Sequence, residues 1–295
     1  MPKQIVDRSR SLRIRGGTPE QLRELMKELQ PIAREFFGRI PVEEVGQVAA
    51  AVEAAHTPPG VDHMLTVARC NTPAEITEHL ASHHIKPVVA TADYLPTYSE
   101  CCQFIKDLEQ RCCSTLGVFH ISSVFNLYNW LNAEFVISLG AWLRERRSPG
   151  SEIIEVCAGD GLLSHWLLRA QNVPVRATDR DTSAENHYTR TDHSGRVERL
   201  DAASALRKYN PQIVLASWVP HSDDLAVEIM EYPSVKHLIW IGESAGGCCG
   251  TEKVWDGYPH VRIEADKFVL SRTDYFYSRL GFSRHGVCVV FNKKT

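Results

Sequence analysis

The feature that most constrains this chain is a change of rhythm at Ser151. From there short apolar runs alternate with helical stretches, each pair joined by a turn. Glu152–Cys157 reads as a strand running into the glycine loop Ala158-Gly159-Asp160-Gly161, and Leu162–Ala170 as the helix behind it. Val173–Thr178 is a second strand ending at Asp179; Arg196–Leu200 is a third ending at Asp201, followed by the helix Ala202–Tyr209. Ile213–Ser217 and His237–Gly242 are two more apolar strands. Such alternation predicts an α/β fold, a doubly wound and mostly parallel sheet, because runs this continuously apolar need cover on both faces. Val261–Leu270 and Arg284–Asn292 are expected to pair antiparallel at its edge.

The first half announces helices instead. Thr18-Pro19-Glu20-Gln21 is a capping box with proline at the first helical position, Thr72-Pro73-Ala74-Glu75 repeats it, and Thr97-Tyr98-Ser99-Glu100 is a third start. Val42–Ala55 is alanine-rich and predicted helical until Thr57-Pro58-Pro59-Gly60 breaks it. A longer helix is expected over Ser122–Arg146, with Tyr128, Leu131, Phe135, Leu139 and Trp142 as its apolar stripe and Asn126, Asn129 and Asn132 as a stripe of amides. The expected organisation is a basic tail over 1–17, a helical cover region over 18–147 and an α/β core over 148–295.

Composition removes several classes of partner. The 295 residues carry 33 basic and 36 acidic side chains, a net charge of -3, which gives no electrostatic reason to expect nucleic acid. The uncharged run Cys112–Ala133 contains His120, Ser122, Ser123, Asn126, Asn129 and Asn132, too polar for a membrane span. Met1–Gly17 is basic without an apolar stretch, so no signal peptide is expected. The nine cysteines then read as reduced thiols in a cytoplasmic protein. Cys101-Cys102 and Cys112-Cys113 are adjacent pairs, whereas zinc ligands are usually spaced as CxxC, so no metal is expected.

In a doubly wound sheet, ligands sit beyond the carboxyl ends of the strands. Gly159 and Gly161 fall at the first such end and let the backbone approach a ligand, with helix N–H groups aimed at the same space. Asp179, eighteen positions beyond Gly161, can accept both hydroxyls of a ribose. Asp201 can take the exocyclic amine of adenine while Ala202 offers its N–H. Each aspartate taken alone also suits a helix N-cap.

Together, Glu155-Val156-Cys157-Ala158-Gly159-Asp160-Gly161, then Asp179, then Leu200-Asp201-Ala202 resemble the class I S-adenosylmethionine-dependent methyltransferases. One departure is Cys157, where the family often has its first glycine. The resemblance spans residues 151–295 and implies a seven-stranded sheet that binds S-adenosyl-L-methionine. It puts Glu155, Ala158, Gly159, Asp160 and Gly161 near the methionine portion; Asp179, Arg180, Asp201, Ala202, Ser217 and Trp218 complete the cofactor set. The rival on a similar sheet, a nicotinamide dehydrogenase, wants GxGxxG, and its third glycine is here Ser164.

Methyl transfer asks the protein for alignment, a dry pocket and a sink for any surplus proton. The fourth strand ends Ala216-Ser217-Trp218-Val219-Pro220-His221, where Trp218 can wall the pocket or face a cation and His221 can act as base. The tetrad Ser217–Pro220 loosely resembles the Asp/Asn/Ser-Pro-Pro-Tyr motif of amine-methylating relatives. Glu243 opens a small-residue loop through Gly250 that can act as a lid, and is the second candidate base or substrate anchor. Tyr128, Asn129 and Trp130 are the candidate substrate-binding residues. The expected substrate is a small molecule methylated at nitrogen, oxygen or sulfur. The alternatives are a protein or RNA acceptor gripped by Arg8, Arg10, Arg13 and Arg15, and a non-methylating protein of the same fold.

Overall fold

The computed structural model describes residues 72–108, 118, 121–122, 124–125, 127–180, 197–221, 223–245, 247, 249–271, 274 and 286–293. The basic tail, the Thr18 capping box, the Val42–Ala55 helix, Asn126 and the Cys112-Cys113 pair lie outside them. Contacts divide the chain into two units, and residues 88–102, 126–274 and 285–295 make up the one that holds the sheet. The sheet unit therefore takes in residues N-terminal to 148.

Both described capping boxes form. Thr72 accepts from Glu75 N–H at 3.3 Å while its own N–H donates to Glu75 at 3.0 Å, opening α1 (Pro73–Ser82). Thr97 and Glu100 exchange the same bonds at the start of α2 (Tyr98–Asp107). The long helix expected from Ser122 is shorter: α3 spans Ala133–Arg146. Asn132 is its N-cap, accepting from Phe135 N–H at 3.0 Å and donating its amide to the carbonyls of Trp130 and Phe268. The residues before it are held elsewhere, since Asn129 bridges Ser271 and Trp130 N–H donates to Leu270. An asparagine that caps cannot also belong to a helical amide stripe.

The strands are β1 (Ile153–Val156), β2 (Arg176–Asp179), β3 (Glu198–Arg199), β4 (Ile213–Ser217), β5 (His237–Glu243), β6 (His260–Arg262) and β7 (Gly286–Asn292). Their order is β3-β2-β1-β4-β5-β7-β6, parallel except that β7 runs antiparallel to both β5 and β6. Alternate residues feed two cores. Ile153, Leu215, Ile239 and Ile241 pack with α3 and with α4 (Leu162–Gln171). Ile154, Val214, Ala216, Leu238 and Trp240 pack with α5 (Ala202–Tyr209), α6 (Leu225–Glu231) and α7 (Lys253–Gly257). The doubly wound, mostly parallel seven-stranded sheet expected from the sequence is present.

The C-terminal side differs from expectation in detail. Of the anticipated strand Val261–Leu270 only Val261 and Arg262 lie in a strand, β6, and Glu264–Phe268 forms a 3-10 turn. Buried Asp266 accounts for this: its carboxylate accepts from Cys288 N–H at 2.8 Å and from Arg262 at 3.1 Å, pulling the chain off the strand path. β6 is the outer strand and β7 lies inside it. An open dinucleotide-binding sheet has the order 3-2-1-4-5-6, so the antiparallel strand between β5 and β6 separates this fold from it.

Candidate functional site

The order reverses between β1 and β4, and the crevice at such a switch is where open α/β sheets hold ligands. The loop after β1 is built for close approach. Cys157, Gly159 and Gly161 all take positive φ, of 53°, 55° and 69°. Gly161 is the left-handed N-cap of α4, and a Cβ there would lie 2.7 Å from the Val197 side chain. Ala158, Ala177 and Val197 form the small apolar floor under this turn. Ala158 N–H donates to Thr178 and Gly161 N–H to Ala158, while Asp160 accepts from Leu162 N–H at 3.0 Å.

Asp179 ends β2, and its carboxylate accepts from Gly159 N–H at 3.0 Å. The second strand end is thereby stitched to the first loop. Arg180 follows, exposed. Asp201 caps α5, accepting from Ser204 N–H at 2.8 Å and the Ser204 hydroxyl at 2.9 Å. The Ser204 N–H and then its hydroxyl hold the Asp201 carboxyl below its usual range. Ala202 is the first residue of that helix.

Glu155 is buried in β1 and ties three elements together. It accepts from Ser164 in the first turn of α4 and from Ser217 at the end of β4, the latter at 3.4 Å. Burial pushes its pKa up to about 7 against the pull of these hydroxyls, and the Asp160 carboxylate adds to the rise. Burial likewise pushes the Cys157 thiol up to about 12, with the Asp179 and Asp223 carboxylates contributing. Ser164, met in the sequence only as a misplaced glycine, is a partner of Glu155. Its place on the first turn behind Gly161 was the available signal.

At the end of β4, Trp218 also turns through positive φ, 53°, and its N–H donates to Ile241 at 2.8 Å. A bulky residue in that region is a real outlier. Its ring meets Tyr128 at 5.2 Å between centroids, tilted by 42°. Trp218 Nε1 and Asn129 Oδ1 are buried without a hydrogen-bond partner among the described residues. His221 is exposed and bridges Gly250, whose N–H donates to Val219 and Pro220. Glu243 is fully buried; its N–H donates to Cys249 Sγ at 3.5 Å, and a Cβ on Gly247 would come 2.6 Å from its carboxylate. The two candidate bases thus occupy opposite environments. Gly250, with φ of 54°, packs on Trp240 and anchors the far end of the anticipated lid.

Three pairings of predicted residues from different elements are therefore direct: Gly159 with Asp179, Glu155 with Ser217, and Tyr128 with Trp218. Among the described residues no group of three His, Cys, Asp or Glu side chains could hold a metal ion, and no helix is long and apolar enough to cross a membrane.

No protein-family model matches the chain, and no curated protein matches it. Solved structures with some likeness include M. capricolum TrmK in complex with S-adenosylhomocysteine, at 11% identity over 53% of this chain and 68% of that one, TM-score 0.31. Another is the S-adenosylmethionine-dependent methyltransferase SibL in its apo form, at 14% identity over 90% and 78%, TM-score 0.31. A third is LepI in complex with S-adenosylmethionine, at 12% identity over 92% and 77%, TM-score 0.29. In strand order and direction the chain has the seven-stranded fold that the methyltransferase resemblance implies, and its own loops decide what it does.

Proposed function

We propose that this protein is an S-adenosylmethionine-dependent methyltransferase that methylates a nitrogen, oxygen or sulfur atom of a small molecule. The observation that carries the reading is the stitched pair of strand ends: a left-handed glycine turn after β1, held by the carboxylate at the end of β2. That arrangement fits an adenosyl group with a cationic amino-acid tail. In this reading the loop before α4 borders the amino-acid tail above Glu155, and Asp179 holds ribose hydroxyls. Bound there, the cofactor supplies an electrophilic methyl group on a sulfonium.

The chain's own residues then have separate tasks. Ala158, Gly159, Asp160 and Gly161 cradle the cofactor; Arg180, Asp201 and Ala202 border the nucleoside; Ser217 holds Glu155 in place. Trp218 and Tyr128 form an aromatic wall for the acceptor, beside Asn129 and Trp130. His221 is the base in contact with water, suited to pass a proton outward, and Glu243 anchors substrate from the dry side. The reaction core lies in the unit that holds the sheet, in a cytoplasmic enzyme. The near-neutral charge supports a small acceptor over RNA.

Calorimetric titration tests this directly. S-adenosylmethionine and S-adenosylhomocysteine are expected to bind, NAD not. Asp179→Asn, which keeps the size of the side chain, is expected to weaken both by about tenfold or more, the loss of a charge-assisted bond. Binding of NAD in place of both would reverse the assignment.

A further inference from the structure

Trp218 differs from Trp166 and Trp240, two buried indoles of the sheet unit. Trp166 Nε1 donates to Thr91 at 2.8 Å and Trp240 Nε1 to Glu243 at 2.9 Å, both to backbone carbonyls. Trp218 Nε1 is buried with no such partner among the described residues. The residue also holds a left-handed backbone that a glycine would adopt freely. Strain and an orphaned donor in one residue, at the carboxyl end of the strand beside the switch, point to a ligand that completes it.

The surroundings narrow the chemistry of that ligand. Tyr128 packs against the Trp218 ring at a 42° tilt, an aromatic corner that suits a ring-bearing partner. Asn129, the neighbour of Tyr128, has its Oδ1 buried without a partner among the described residues, so the segment facing Trp218 carries an acceptor as well. An anion is disfavoured near Cys157 on the adjacent strand end, where the Asp179 and Asp223 carboxylates act against the opposing Arg180 guanidinium. A cation would leave the indole N–H without an acceptor. What remains is a neutral ring-bearing molecule with one oxygen that accepts and one group that donates.

We propose that Trp218 is a specificity-determining residue: its indole N–H donates to a carbonyl oxygen of a neutral aromatic methyl acceptor seated in the Tyr128–Trp218 corner, and Asn129 Oδ1 accepts from that molecule's hydroxyl. The proposal rests on the methyltransferase reading for the role of the ligand, but not for its binding. Hydroxyaryl amides, aldehydes and lactones are the substrate class it names.

The experiment follows the indole N–H resonance of Trp218 in the full chain with nitrogen-labelled tryptophan, assigned by its disappearance in Trp218→Phe. The probes are salicylamide, salicylaldehyde and umbelliferone, with salicylate and tyramine as charged counterparts, each added with and without saturating S-adenosylhomocysteine. A neutral probe is expected to move the Trp218 resonance downfield, and salicylate and tyramine to leave it in place. Trp218→Phe is expected to weaken that probe about five- to tenfold, the worth of one hydrogen bond. Trp218→His, which retains an N–H, is expected to restore part of the loss. If no neutral probe moves the resonance, or a charged probe alone does, the proposal falls. A shift produced by S-adenosylhomocysteine by itself also overturns it, since the cofactor would then be the partner. Failure of S-adenosylhomocysteine to bind while a neutral probe still shifts the resonance would leave this subsite standing and remove the methyltransferase reading instead.

Discussion

The turns after β1 and β4 lie side by side and begin alike, each with a non-glycine residue at φ of 53°. They are stabilised by different means. The β1 turn is closed from nearby: glycines permit its path, Ala158 and Gly161 bond within it, and Asp179 reaches in from the next strand. The β4 turn is held from far along the chain, by Ile241 on Trp218 and by Gly250 on Val219 and Pro220. A locally coded turn presents backbone, which suits an invariant cofactor. A turn held by distant segments presents side chains, which suits the variable partner.

The sharpest way to break the contrast is Gly161→Ala. It adds a Cβ 2.7 Å from Val197 at a φ of 69°, and a loss of about 2–4 kcal/mol in denaturant unfolding is expected from strain and overpacking together. A loss below that range would mean the β1 turn is less locally determined than described.

Next comes Glu155, which joins the two turns through Ser217. Its folded-state pKa of about 7 lies above the ordinary 4.5, so the native state keeps a proton that the unfolded chain gives up between those values. Its contribution is fully present below 4.5 and is lost as pH rises through 7. Glu155→Gln is therefore expected to gain stability on the wild type with rising pH, by up to about 3 kcal/mol at pH 8. A pH-independent difference between the two proteins would show that burial does not govern this carboxyl.

Cys157→Gly relieves the left-handed strain of the β1 turn and is expected to stabilise it by about 0.5–1 kcal/mol, read as a higher Tm. Asp201→Ala gives the smallest effect, a melting point a few degrees lower through loss of the α5 cap. The same variant sharpens the cofactor assignment: weaker binding of S-adenosylhomocysteine would give Asp201 a role at the adenine beside its capping role.

The sequence was most legible where neighbours determine structure. The Ala202–Tyr209 helix and the Ile213–Ser217 strand stand as expected, and so do the Thr72 and Thr97 capping boxes. It was least legible at Tyr128–Asn132. There helical spacing of apolar residues gave way to the bridge from Asn129 to Ser271 and the bond from Trp130 to Leu270, contacts spanning more than half the sheet unit's sequence. Likewise Ser164 reads as a defect in a glycine pattern until Glu155 is seen beside it.

By itself, the order of residues determined the alternation of strands and helices, the glycine turn and the acids at three strand ends, because periodicity and backbone freedom act over a few positions. Tertiary structure alone decided that β7 enters between β5 and β6, that Glu155 spans β1, α4 and β4, and that the Trp218 indole N–H, packed near Tyr128, has no partner among the described residues. These depend on which distant segments compete for the same hydrogen bonds and the same buried space, and no local pattern encodes the outcome of that competition.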